Sequence, residues 1–207
     1  MKSLADTLTQ ILKASGVNTK EYEFKTITTN FKPFLEQAKN QNADSYVFLG
    51  YSETAKAMKQ ARELGILARF YAGSFLLDPS FRAEAKDALE GTFFVYFGSE
   101  EGNESQAKNF LKSFKQSYRR LPVIQWTTMQ AYDAANILIA SIKTAYSVEG
   151  NLEDNLREAL LQVENYPGVS GNLTMQKNGS IKGIKPALYI YKNKKIIKAT
   201  APNNAVE

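Results

Sequence analysis

At 207 residues, 43% hydrophobic and 23% charged, the chain has the makeup of a globular protein with room for one sizeable core or two small ones. It contains no Cys and no His, which excludes disulfides, thiol nucleophiles, Ser-His-Asp triads and the usual zinc ligand sets. The net charge of +5 comes from lysines interleaved with Glu and Gln (Lys56, Lys59, Arg62, Glu63) and from Lys192–Lys195 with Lys198 at a hairpin turn, so it reads as solvated surface and not as a nucleic-acid interface.

The first segment, Lys2–Ser15, carries Leu4, Ala5, Leu8, Ile11 and Leu12 at helical spacing, with Gly16 as its C-terminal cap. Asp6 and a polar face make it an amphipathic helix and not a signal peptide. Such a helix ordinarily arrives from a parallel strand and packs back on the sheet, and no strand pattern precedes it here. Tyr22, Phe24 and Thr26 then alternate with charged residues, which predicts a half-exposed strand over Tyr22–Ile27 near a sheet edge. Asn30 is placed to cap a helix over Phe31–Asn40.

Ser45-Tyr-Val-Phe-Leu-Gly50 is apolar without alternation, the pattern of a strand covered on both faces. Ser52 is the expected cap of a helix that turns Ala55, Met58, Ala61 and Leu64 inward and stops at Gly65. A strand over Arg69–Ala72, a loop containing Asp78-Pro79, a short helix near Phe81–Leu89 and an apolar strand over Thr92–Phe97 complete an alternating β/α run. In sheets of this kind ligands sit at the carboxyl ends of the strands, which singles out the loops Gly50–Glu53 and Gly73–Asp78.

The pattern changes at Gly98–Asn103. Three helical segments follow without strands between them: Glu104–Tyr118, Thr127–Ser147 and Asn151–Val163. The middle one has a broad apolar face that needs a partner surface. The chain closes with a strand at Leu173–Met175, a turn at Lys177-Asn-Gly179, strands over Ala187–Tyr191 and Lys195–Lys198 about Asn193, and a tail, Ala201–Glu207, expected to fray. The longest apolar run, Ile137–Ala140, is too short to span a bilayer, and no phosphate-binding loop or nucleophile elbow is present.

Several short runs, in order, carry a family resemblance. They are Asp44-Ser-Tyr-Val-Phe-Leu-Gly-Tyr51, Ala55-Lys-Ala-Met-Lys-Gln-Ala-Arg-Glu-Leu-Gly65, Phe70-Tyr-Ala-Gly73, Asp78-Pro-Ser-Phe81 and Ala88-Leu-Glu-Gly91. Ala131-Tyr-Asp-Ala-Ala135, Gly168-Val-Ser-Gly-Asn-Leu-Thr174 and Asn178-Gly179 continue the series. From Lys2 to about Ala199 the chain resembles the periplasmic substrate-binding proteins of the leucine/isoleucine/valine (branched-chain amino acid) ABC transporter class, with the type I periplasmic-binding fold.

The resemblance implies an α/β, two-lobed open parallel sheet, incomplete here for want of most of the first lobe and the first strand of the second. Residues 1–98, with 184–200 returning, would be the second lobe; residues 99–183 the helical part of the first; residues 201–207 a tail. It implies a solute-binding component of a bacterial ABC importer, not an enzyme, that captures a small amino-acid-like or related polar metabolite. Closure would run about hinges, one near Gly98–Gly102, with delivery to a membrane permease. Periplasmic location, no cofactor or metal and no nucleic-acid partner go with it, as does another chain completing the fold. The 207 residues alone are then not expected to bind ligand with the affinity of a whole protein. A ligand-sensing receptor domain and an enzyme on a doubly wound scaffold are the alternatives.

Site residues carry over position by position. Tyr51 matches an aromatic aimed at the cleft, or else packs on its loop. Where the family has an acid for the ligand's α-ammonium, this chain has Ser74 or Phe75, according to how the loop aligns, which predicts no carboxylate grip from the loop Gly73–Asp78. Tyr132 matches an aromatic near the side-chain pocket, or packs in its helix, and Trp126 lines the cleft rim or anchors a core.

Overall fold

The computed structural model describes residues 2–97, 104–184 and 186–199. The chain divides into two units: unit 1, Met1–Tyr96 with Leu188–Glu207, and unit 2, Phe97–Ala187.

Unit 1 is built on a five-stranded sheet in the order β1(Ser45–Phe48), β2(Arg69–Ala72), β3(Phe93–Phe97), β7(Pro186–Lys192), β8(Lys195–Lys198). β1, β2 and β3 are parallel, with Tyr46 opposite Phe70 and Ala72 opposite Phe94; β8 returns antiparallel on β7. Asn193 and Lys194, at φ 53° and 59°, form the tight turn between them. Between the parallel strands run α3(Glu53–Glu63) and α4(Pro79–Ala85), with α2(Lys32–Lys39) before β1. Their inward residues, Leu35, Met58, Ala61 and Phe81, form one core with Phe48, Phe70 and Phe94. That burial is the main stabilising term of the unit, at about 1.5–3 kcal/mol for each large side chain.

The other face of the sheet is open. Val47 and Val95 are 44% and 43% exposed, so β1 and β3 are not covered on both faces as their unbroken apolar runs predict. Such a run states what a strand tolerates, whereas coverage depends on which elements pack there.

The strand expected at Tyr22–Ile27 does not form. Residues 21–25 have no regular secondary structure, a turn follows at Thr26 and Ile27, and the segment joins no ladder among the described residues. Its side chains reach the start of α2 and β1. Phe24 meets Phe31 edge-on at 5.0 Å, and burial together with the nearby Tyr22 pushes the Tyr46 phenol up. A strand needs a backbone partner as well as an alternating pattern, and β1 presents its outer edge without one. α1(Lys2–Ala14) ends at Gly16 (φ 76°) as expected, but buries none of its residues, and Leu4 and Ile11 stand exposed. An ion pair from Lys2 to Glu23 and a hydrogen bond from the Thr9 hydroxyl to Glu21 join it to the segment that follows.

Two caps differ in detail from expectation. Asn30 accepts the N–H of Lys32 at 3.2 Å but stands one residue before the cap position, which Phe31 fills without a side-chain bond. Ser52 makes no capping bond; Glu53 Oε1 takes the Tyr51 N–H instead, at 2.9 Å. α4 starts at Pro79, earlier than the pattern indicates, because Asp78 is its cap.

Unit 2 holds α5(Glu104–Tyr118), α6(Gln125–Tyr146) and α7(Leu152–Leu161), and a small antiparallel sheet of β4(Tyr166–Pro167), β5(Asn172–Met175) and β6(Ile181–Lys182). α6 packs on both neighbouring helices and buries Met129, Ile137, Ser141 and Ala145. Its other side is left open, with Leu138 and Ile139 exposed. β4 and β6 escaped the sequence pattern because each is two residues long. Gly171 and Gly183 let β5 approach its neighbour closely: a Cβ on Gly183 (φ 107°) would stand 1.7 Å from the Asn172 carbonyl oxygen. The expected hinge at Gly98–Gly102 and the tail Ala201–Glu207 lie outside the described residues.

Candidate functional site

In unit 1 the candidate residues gather at the carboxyl ends of β1 and β2. Tyr51 follows β1, and Ser74 and Phe75 open a 3₁₀ turn, Ser74–Leu77, directly after β2 and Gly73. The parallel register of the two strands brings these loops side by side, and the rings of Tyr51 and Phe75 meet edge-to-face at 4.8 Å and 86°. Tyr51 keeps 47% of its surface exposed and Phe75 is half-buried. Tyr51 is therefore packed on the neighbouring loop and open to solvent at once.

The polar groups of these loops turn back on the backbone. The Tyr51 carbonyl accepts the Thr54 hydroxyl at 2.7 Å and the Thr54 N–H at 3.1 Å. Asp78 accepts the N–H and the hydroxyl of Ser80 at 2.7 and 2.6 Å, and those bonds hold its carboxyl below the usual range. The one acid of the loop Gly73–Asp78 is thus the cap of α4.

In unit 2, Trp126 and Tyr132 both lie on α6, six residues apart and so about 120° apart around it. Trp126 is half-buried in the first turn. Tyr132 is 48% exposed and packs at 4.8 Å on Phe110, which continues through Phe114 to Tyr118 as an aromatic row. It is a surface aromatic and not a helix-core residue.

Next to it, Asp133 is buried (1% exposed) and holds the loop Gly168–Ser170. Its Oδ1 accepts the Val169 N–H, and its Oδ2 the Ser170 N–H and hydroxyl, at 2.8, 2.8 and 2.5 Å. Burial first, then Asp133 and Tyr132, push the Tyr166 phenol up. Sequence reasoning passed over Asp133; the available signal was a lone acid inside the apolar stretch Ala131–Ala135.

A concavity of about 330 Å³ in unit 2 is lined by Phe114, Arg120, Pro122 and Ile124, and one of about 550 Å³ lies at the amino ends of β1 and β2, beside Asp44, Arg62 and Glu90. Neither includes the five candidate residues, and the second is at the wrong end of the sheet for an α/β ligand site. Among the described residues no three Asp, Glu, His or Cys side chains gather to hold a metal ion, and no helix is long and apolar enough to cross a membrane.

The chain belongs to the periplasmic binding protein family, whose pattern matches residues 1–194. No curated protein matches it. Among solved structures it is similar to a leucine-binding protein, LivK, of Thermotoga maritima, at 24% identity and a TM-score of 0.82, covering 95% of this chain and 55% of that one. The branched-chain amino acid binding protein LivJ of Streptococcus pneumoniae, solved with isoleucine, is 21% identical with a TM-score of 0.66, covering 84% and 48%. A solute-binding protein of Rhodopseudomonas palustris, solved with benzoate, is 18% identical with a TM-score of 0.70, covering 94% and 54%. The chain thus spans about half the length of these relatives, and the shared fold is α/β with a mixed, mostly parallel sheet.

Proposed function

We propose that this chain supplies part of a solute-binding protein of an ABC importer, which captures a small molecule in the periplasm and hands it to a membrane permease. The observation that carries the reading is the Tyr51–Phe75 pair, half open to solvent at the carboxyl ends of two parallel strands. In this reading unit 1 is the second lobe, with Tyr51, Ser74 and Phe75 as its solute-facing residues, and unit 2 is the helical part of the first, with Tyr132 and Trp126 as its own candidates. The relatives' solutes, leucine by name and isoleucine and benzoate in crystals, support a small solute with an apolar body. The open edge of β1 and the exposed side of α6 support completion by further polypeptide.

Isothermal titration of the chain and of its Tyr51→Ala and Phe75→Ala variants against small carboxylic and amino acids tests this. Binding that weakens in both variants is expected. Binding that both leave unchanged removes these residues from the site and with them the observation on which the reading rests.

A further inference from the structure

From Ser105 to Tyr132 the chain carries Lys108, Lys112, Lys115, Arg119 and Arg120 and no acid. Lys112, Lys115, Arg119 and Arg120 are all exposed, and none of the four forms an ion pair among the described residues. Lys115 stands one helical turn before Tyr118 and Arg119, which places it on the same side of α5. The helix ends there against the usual preference. Arg119 has a φ of 55°, a left-handed turn that favours glycine, yet the position holds a long cationic side chain. Around this turn Tyr118 and Val123 are 64% and 62% exposed and Leu121 is 45% exposed, while Pro122 between them is buried and fixes the loop to its unit. Apolar side chains and guanidiniums thus alternate outward along Tyr118–Val123.

Apolar side chains held in water are unfavourable, and clustered cations of one sign repel each other. An anionic bilayer relieves both, because its surface is negative and the layer beneath is hydrocarbon. We propose that the loop Tyr118–Val123, with Lys112 and Lys115 behind it on α5, docks the protein on an anionic phospholipid surface. Arg119 and Arg120 meet the lipid phosphates, Leu121 and Val123 enter below them, and Tyr118 sits at the level of the headgroups. An acidic protein face would satisfy the cations and leave Leu121 and Val123 in water. Docking of this kind is independent of solute capture.

Sedimentation of the full chain with vesicles of equal parts phosphatidylglycerol and phosphatidylcholine, and with vesicles of phosphatidylcholine alone, tests this. Binding to the anionic vesicles is expected, weakening as salt rises. Arg119→Glu with Arg120→Glu should weaken it about thirtyfold, and Leu121→Ser with Val123→Ser about tenfold. Lys192→Glu with Lys195→Glu, at the β7–β8 hairpin, changes the net charge as much as the arginine pair and should leave binding almost unchanged. All the substituted side chains are exposed, so the fold is kept. No preference of the wild type for the anionic vesicles overturns the proposal. An equal loss in the hairpin variant also overturns it, by tracing binding to net charge. Full binding by the serine variant overturns the bilayer as partner and leaves the cations to an acidic protein.

Discussion

The carboxylate of Asp133, midway along α6, holds Ser170 through both its backbone N–H and its hydroxyl, at 2.8 and 2.5 Å, across 37 residues of sequence. With the Val169 N–H added, one buried side chain satisfies three donors of a loop that has no ladder of its own. Asp133→Ala leaves those donors buried and unpaired and should destabilise the chain by about 3 kcal/mol in urea unfolding, against about 1 kcal/mol for Ser170→Ala. Equal effects would mean that the backbone bonds contribute little.

Gly183→Ala should be as damaging for a different reason. Its φ of 107° is strained for any side chain, and the new Cβ would stand 1.7 Å from the Asn172 carbonyl oxygen, so β5 has to move. A loss of about 3 kcal/mol is expected in the same assay. Gly179→Ala, at a positive φ with open space around it, should lose about 1 kcal/mol.

Arg62 donates to the carbonyls of Ile66 and Ala68 at 2.6 and 3.1 Å and stacks 3.6 Å above the Phe70 ring. Burial lowers its pKa without displacing it from these contacts. A lysine has no planar group to lay on the ring while its nitrogen donates to both carbonyls. Arg62→Lys should therefore lose about 1–2 kcal/mol in thermal or chemical unfolding despite keeping the charge.

The cap of α4 sets an acid dependence. The Asp78 carboxyl is held below its ordinary value of 3.8, chiefly by the Ser80 hydroxyl, so the unfolded chain takes up the proton first as pH falls. Its contribution is complete at neutral pH, declines once pH drops past the ordinary value and disappears below the depressed one. The difference in melting temperature between the wild type and Asp78→Ala should stay constant from pH 7 to about pH 5 and shrink steadily as the pH is lowered further.

Substitution at the open edge should act on association and not on folding. Val47→Lys in β1 replaces an exposed apolar residue with a charge at an unpaired strand edge. The monomer fraction in size-exclusion chromatography should rise while unfolding changes by no more than about 0.5 kcal/mol.

The β/α run from Ser45 to Phe97 was legible because each strand there is a short apolar block and each helix an amphipathic stretch closed by a cap or a glycine. What failed depended on partners. Tyr22–Ile27 alternates like a strand and joins no ladder among the described residues, and Val47 and Val95 sit in apolar runs yet face solvent. Tyr51 and Phe75 could be singled out one at a time, but their contact spans two loops and rests on the parallel register of β1 and β2. Asp133 was missed since nothing local shows that a loop 37 residues away will need its oxygens.

Unit 1 is discontinuous, and that has a consequence for the order in which the chain can fold during synthesis. The Asn193 N–H reaches Glu90 at 2.8 Å across 103 residues, and Tyr191 exchanges backbone bonds with Gly91 and Thr92. At ribosomal speeds those 103 residues take about 5–20 s to make. For that interval β3 waits beside an empty position while the helices of unit 2 emerge with contacts near in sequence. The nascent chain is thus most vulnerable in the middle of its synthesis, and a ribosome that stalls between residues 97 and 186 leaves a sheet open on both edges.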